Sequence, residues 1–343
     1  MRIGLLTGGG DCPGLNAIIR AAVEKSLSYG YEVVGIKQGW KGLLEPNIIE
    51  MNSETVIGII KEGGTILKTS RTNPLKEKSG IKKVMENMKN LEIDALIAIG
   101  GDDTLGVAYQ LYKKGGKVVG VPKTVDNDIC GTDFTPGFDT AINTVMESIE
   151  RLYTTAKSHN RTIVVEVMGR HAGWIATIAG MAAGADYIVI PEEPFSIQDI
   201  CNHLKKRYSQ GKEFGIVVVA EGAKPKEKES LSIMSKEKDA FGHLRLGGIA
   251  ETLSKVIEKI TGIETRHVVL GHVQRGGSPS AFDRVLGTRL GVYAVNMIKT
   301  KKFGRMAAIQ RNKIVSVSLK EAIGKPNKVD SELYNIARLF FEK

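Results

Sequence analysis

The chain has 343 residues and a mass of 37.2 kDa, more than one hydrophobic core usually supports, so two domains are expected. Hydrophobic residues make up 42% and charged residues 25%, an ordinary globular mix, and no apolar run approaches a membrane span, which excludes a membrane-spanning protein. Lys plus Arg is 48 against 38 for Asp plus Glu, a net charge of +10 that fits either nucleic acid or phosphorylated metabolites.

Several features narrow that choice. Aromatic residues are only 6%, and the densest charged stretch, Lys224 to Asp239, mixes signs like a solvated loop, so no nucleic-acid partner is expected. Met1 to Leu6 runs straight into glycines without the longer apolar stretch and cleavage site of a secretory signal. Cys12, Cys130 and Cys201 are too few and scattered for a disulfide framework or a Cys-rich zinc site. A reducing, cytoplasmic compartment is expected.

In chain order, Ile3–Leu6 reads as a short buried strand that stops at Thr7-Gly8-Gly9-Gly10-Asp11. A helical stretch follows over Leu15–Tyr29. Glycines between a strand and a helix let backbone N–H groups approach an anion, or simply form a tight turn that packs helix on strand. The loop is not a Walker loop, since no Gly-Lys-Ser/Thr follows, and Pro13 stands where a dinucleotide fingerprint needs glycine. Strand Val33–Ile36 comes next, and Trp40 beyond it reads as a packing residue. Helix Ile81–Asn90 leads to strand Ala95–Ile99, which ends at Gly100-Gly101-Asp102-Asp103-Thr104. Two adjacent carboxylates there point to magnesium, to helix capping, or to one task each.

Helix Thr104–Lys114 and strand Val118–Val121 lead to Pro122-Lys123-Thr124-Val125-Asp126-Asn127-Asp128. In an extended segment Asp126 and Asp128 face one side, which suits a general base beside a second carboxylate; an Asx-rich turn is the alternative. The turn-rich stretch ending at Gly137 marks a plausible domain boundary.

Helix Phe138–Lys157 precedes strand Ile163–Val167, which stops at Met168-Gly169-Arg170. Helix Ala172–Gly184, strand Tyr187–Ile190, helix Ile197–Ser209 and strand Ile216–Ala220, ending at Glu221-Gly222, continue the rhythm. It breaks once, over about 224–246, read as a surface insertion. Helix Gly248–Thr261, strand Val268–Leu270, the cluster Gly271-His272-Val273-Gln274-Arg275-Gly276-Gly277 and helix Ala281–Lys299 complete it. Arginines beside glycines at strand ends favour a sugar phosphate. Short β-branched runs alternating with amphipathic segments predict an α/β fold of two doubly wound domains. Each would be a mainly parallel sheet with helices on both faces, its ligand residues at the carboxyl ends of the strands.

Taken together, the N-terminal glycine loop, Gly100-Gly101-Asp102, Thr124 to Asp128, Met168-Gly169-Arg170 and Gly271 to Pro279 resemble the phosphofructokinase family in order and spacing, from Arg2 to about Gly304. The resemblance implies an active site in the cleft between two domains, 1–137 plus about 250–305 for the phosphoryl donor and 138–249 plus about 306–343 for fructose 6-phosphate. Asp126 would be the base that takes the 1-hydroxyl proton, flanked by Thr124 and Asp128, and Asp102 would hold magnesium. Gly9 and Gly10 would donate N–H to the donor, with Arg71 near its phosphates. Arg170 would stabilise the transferring group, Met168 and Gly169 would shape the sugar pocket, and Glu221 would accept from sugar hydroxyls. His272 and Arg275 would grip the 6-phosphate, and Arg161 and Arg266 would reach it from a neighbouring subunit of a homo-oligomer, dimer or tetramer.

Two positions bear on the donor. Strictly ATP-using bacterial members carry glycine where this chain has Asp103 and Lys123, and that pair is similar to the pyrophosphate-dependent branch. His171-Ala172-Gly173-Trp174 points the same way. A carboxylate where an α-phosphate would lie repels ATP by roughly a few kcal/mol at an effective dielectric of about 20, and an ammonium nearby can hold pyrophosphate. The expectation is Mg-dependent, freely reversible transfer from pyrophosphate to fructose 6-phosphate. ATP is the rival donor, and a dinucleotide-binding oxidoreductase, lacking the fingerprint, is remote. Arg20 and Lys212 fit the basic effector site of allosteric relatives, but Glu24, Tyr153 and Phe214 stand where cations would, so no such control is expected.

Overall fold

A computed structural model describes residues 1–226 and 248–341. In chain order the elements are β1 (Arg2–Thr7), α1 (Leu15–Leu27), β2 (Glu32–Ile36), α2 (Lys41–Leu44), β3 (Ile48–Met51), α3 (Gly80–Asn90), β4 (Ala95–Gly100), α4 (Asp102–Lys113) and β5 (Val118–Pro122). Then come α5 (Phe138–Ser158), β6 (Thr162–Val167), α6 (Trp174–Ala182), β7 (Tyr187–Val189), α7 (Ile197–Ser209) and β8 (Gly215–Ala220). Last are α8 (Ile249–Thr261), β9 (Thr265–Val269), α9 (Ala281–Lys299), β10 (Arg305–Gln310), β11 (Lys313–Ser318), α10 (Leu319–Ala322) and α11 (Ser331–Arg338).

The described residues form two compact units. The first takes Met1–Thr140 and Arg275–Asn327; the second runs from Ala141 to Gln274 and resumes at Lys328. In the first, seven strands lie in the order β11-β10-β5-β4-β1-β2-β3. The pairs β1·β2, β1·β4, β4·β5 and β5·β10 are parallel, and β3 and β11 join antiparallel at the two edges. Alternation along each strand separates two faces. Leu6, Leu96, Ala98, Val118, Met306 and Ala308 share one buried cluster with Leu105 and Leu111 of α4 and Leu319 of α10. Helices α1 and α9 pack together and on the strands, burying Ile18, Ala22, Leu290 and Ala294. Each buried Leu, Ile, Val or Met among them contributes about 1.5–3 kcal/mol of burial free energy, and each Ala less. Trp40 joins the core, as a packing residue should.

The second unit holds a four-stranded, all-parallel sheet in the order β7-β8-β6-β9. Its strands read Thr-Ile-Val-Val-Glu-Val and Gly-Ile-Val-Val-Val-Ala, nearly continuous apolar runs as expected where both faces are covered. Ser196 caps α7 by accepting from the Asp199 N–H at 3.2 Å.

The units divide differently from the expected boundaries. Strand β9 pairs with β6, so 250–274 belongs to the second unit, whereas β10 pairs with β5, so 306–327 belongs to the first. The edge strands β3 and β11, and β10 beside β11, were not foreseen. The hairpin between β10 and β11 turns on Arg311 and Asn312, both with positive φ, at 48° and 63°. Of the expected insertion, Lys224 to Lys226 pairs with Phe195, and 227–246 lies outside the described residues.

Candidate active site

In the first unit the register sets three loops along one sheet edge. Thr7 pairs with Ile99 and Gly100 with Pro122, so β1, β4 and β5 end flush. The chain leaves β1 and β4 on opposite sides of the sheet order, the switch point where open α/β sheets open a crevice. The glycine loop, the start of α4 and Lys123 to Asp128 all begin there.

Gly9 adopts φ 79° and is held from the neighbouring segment: its N–H donates to the Ser70 carbonyl at 3.3 Å and its carbonyl accepts from Thr69 Oγ1 at 2.6 Å. Its N–H is therefore engaged with the neighbouring segment in this structure. Arg71 follows Ser70 directly and is exposed beside the loop. Lys123 is 3% exposed, and its ammonium donates to the carbonyl oxygen of Gly10. Burial pushes the Lys123 pKa down, while the nearby Cys12 thiol, Asp11 and Asp126 draw it back up and Arg275 adds to the depression. Burial pushes the Cys12 thiol up to about 12, so it stays protonated and donates to the Pro136 carbonyl at 3.3 Å.

The acidic residues follow β4 and β5. Asp102 and Asp103 form the first turn of α4, where the helix dipole favours negative charge; Asp102 is exposed and Asp103 half-buried. The 124–128 segment is not extended; it takes the turn that its Asx-rich sequence offered as the alternative. Asn127 takes φ 51°, and its side chain donates to the Asp133 carbonyl at 3.0 Å and accepts from Thr135 Oγ1 at 3.3 Å. Thr124 Oγ1 accepts from the Asp126 N–H at 3.1 Å. A turn therefore brings the two carboxylates together. Burial, then the neighbouring charges of Asp126 and Asp102, push Asp128 up to about 7.

Among the described residues no cluster of three or more His, Cys, Asp or Glu side chains forms a metal cage. Magnesium rarely uses one, taking one or two carboxylates with substrate phosphates. Asp128, raised in part by the charges of Asp126 and Asp102, belongs to a carboxylate set that such a cation relieves, so these residues fit it.

In the second unit Val167 pairs with Ala220, so Met168 and Glu221 start side by side at the carboxyl edge of the sheet, and the Glu221 N–H donates to the Val167 carbonyl at 2.9 Å. Gly169 has φ 137°, and its carbonyl accepts from the Gly222 N–H at 3.1 Å. A side chain at Gly222 would place its first carbon 2.1 Å from the Arg170 carbonyl oxygen, so the two loops touch only because residue 222 is glycine. His272 is exposed in the turn Gly271–Arg275. Arg275, the next residue but two, belongs to the first unit, where it donates to the Asp11 carbonyl at 3.1 Å and lies against Gly10.

Arg161 and Arg266 stand elsewhere. Ile163 pairs with Arg266, which puts both arginines toward the amino edge of the sheet, away from Met168 and Glu221. Both converge on Glu264 Oε1, at 3.3 Å and 2.7 Å. Two further residues were not singled out by sequence. Gln274 is fully buried behind Met168, and Glu192 accepts from the Gly173 N–H at 3.0 Å. Gln274 could have been found, since it lies inside a cluster chosen for its arginine and histidine.

A parallel-sheet fold with a glycine loop and an acidic turn at its carboxyl edge is an α/β fold suited to phosphoryl transfer. The phosphofructokinase pattern matches residues 2–298, and the chain belongs to that family. It is 50% identical to a pyrophosphate–fructose 6-phosphate 1-phosphotransferase of Streptomyces coelicolor, over 99% of this chain and 100% of the relative. It is also 50% identical to ATP-dependent 6-phosphofructokinase 3 of the same organism, over 94% of this chain and 95% of that one. The solved structure of a phosphofructokinase from Nitrosospira multiformis superposes with a TM-score of 0.84 at 20% identity, over 99% of this chain and 91% of that one, a likeness of fold. No helix of the described residues is long and apolar enough to cross a membrane.

Proposed function

We propose that the chain is a pyrophosphate-dependent 6-phosphofructokinase, transferring phosphate reversibly to the 1-hydroxyl of D-fructose 6-phosphate. Overall identity is the same to a pyrophosphate-using and an ATP-using relative, so the donor rests on local chemistry. The observation that carries the reading is the Lys123 ammonium lodged on the Gly10 carbonyl, with Asp103 in the first turn of α4. A buried ammonium suits a short inorganic donor, and the Asp103 carboxylate repels a nucleotide's α-phosphate.

In the forward direction Asp126 takes the proton of the 1-hydroxyl. The freed oxygen forms a bond to the nearer phosphorus as the bridging P–O bond breaks, and inorganic phosphate leaves with the electron pair. Lys123 neutralises that leaving phosphate, the Gly10 N–H orients the donor with Arg71 beside it, and Arg170 stabilises charge on the group in flight. Asp102, with Asp126 and Asp128 near it, would hold magnesium, which supplies charge neutralisation on the donor. Met168 and Gly169 shape the sugar site, and Glu221 accepts from sugar hydroxyls. His272 takes the 6-phosphate, and Arg275 exchanges its neutral Asp11 acceptor for that anion. Arg161 and Arg266, gathered by Glu264, serve a neighbouring subunit's site in a dimer or tetramer.

Pyrophosphate and the sugar ester differ modestly in transfer energy, so the reaction serves both glycolysis and gluconeogenesis. Tyr153 and Phe214 stack edge to face at 4.9 Å, an apolar pair unsuited to a phosphorylated effector, in keeping with a non-allosteric enzyme. Steady-state assays with each donor test the reading: faster turnover with ATP than with pyrophosphate overturns it.

A further inference from the structure

Gln274 is 0% exposed, yet both ends of its amide are used. Oε1 accepts from the Met168 N–H at 3.0 Å, and Nε2 donates to the Gly271 carbonyl at 3.0 Å. One side chain thereby ties the loop leaving β6 to the turn that carries His272. The amide does both at any pH: an ionised carboxylate cannot donate to Gly271, and an apolar side chain serves neither group.

We propose that Gln274 is a positioning residue for the sugar phosphate, locking the Met168 backbone and the His272 turn into one geometry. The proposal rests on the reading that Met168, Gly169 and His272 hold fructose 6-phosphate. The second unit itself supports the clamp: β6 ends at Val167 and β9 at Val269, and beyond them Met168 is buried and the Gly169 carbonyl accepts from the Gly222 N–H, while the Met168 N–H is met by Gln274. The Leu270 N–H still pairs with the Glu166 carbonyl at 3.1 Å, and after that residue Gln274 is the tie to β6's loop. Leaving a buried N–H and C=O unmatched favours rearrangement of both loops.

The test compares the full-length enzyme with Gln274→Met and Gln274→Glu. Gln274→Met keeps the volume and loses both bonds, and should raise the KM for fructose 6-phosphate about tenfold while the KM for the phosphoryl donor stays within about twofold. Gln274→Glu adds a readout that stability alone does not move. Its protonated carboxyl can both accept and donate, so its KM for fructose 6-phosphate should fall toward the parent value as pH is lowered from 8 to 6, relative to the parent profile. An unchanged sugar KM in Gln274→Met, equal rises for sugar and donor, or a Gln274→Glu profile parallel to the parent overturns the proposal. If Gln274→Met does not fold, Gln274→Glu decides alone. Calorimetric titration of the parent with fructose 6-phosphate separates the two levels: no binding sinks the substrate reading, whereas parent and variants binding equally sinks the clamp.

Discussion

The ammonium of Lys123 donates to the carbonyl oxygen of Gly10, so the cation read as a donor ligand is already fastened to the glycine loop. Because burial lowers its pKa, this amine loses its proton below the usual lysine range. Affinity for pyrophosphate should therefore weaken as pH rises through that lowered pKa. Lys123→Met should raise the pyrophosphate KM by about two orders of magnitude, as loss of a close buried charge pair would, and should flatten its pH dependence. A variant whose KM keeps the parent's alkaline rise would assign that rise to another group.

Asp103 lies half-buried in the first turn of α4. Asp103→Gly removes a charge worth roughly a few kcal/mol against an α-phosphate, so the ratio of ATP to pyrophosphate turnover should rise at least about tenfold. Unchanged donor preference would sink the repulsion argument.

Asp126→Asn should cut turnover by about two to four orders of magnitude, the range for loss of a general base, while fructose 6-phosphate still binds. Titration calorimetry and single-turnover kinetics on the same variant read the two effects separately.

Asp283 is fully buried and accepts from both the N–H and the hydroxyl of Thr140, at 2.9 Å and 2.5 Å. Burial outweighs those bonds and pushes it up from 3.8 to about 6. The folded chain then holds this proton more tightly than the unfolded one. Its contribution to stability is complete below about pH 4 and is lost as pH rises to about 6, a change of about 3 kcal/mol. Asp283→Asn should therefore compare better with the parent at pH 8 than at pH 4 in urea unfolding. The reverse order would show that the carboxylate is the favoured form.

The eight strand runs and eight helices legible from periodicity all exist, most within two residues of their expected ends. They were legible because parallel strands covered on both faces must be continuously apolar, while their helices need one apolar stripe. What escaped were short helices such as α2, α10 and α11 and the strands β3, β10 and β11. Lys313–Ser318 is an edge strand only because β10 lies beside it, and Arg311-Asn312 carries no glycine to announce its turn.

Within the site, residue types announced the chemistry and spacing did not place it. That glycines, paired acids and arginines would gather at strand ends followed from composition along the chain, since charge and flexible backbone collect where strands stop. That Arg161 and Arg266 share Glu264 at the far edge of their sheet, and that Gln274 ties two loops together, depended on folding. Those relations join residues through strand register and side-chain ties between segments distant in sequence. Local pattern has no term for them.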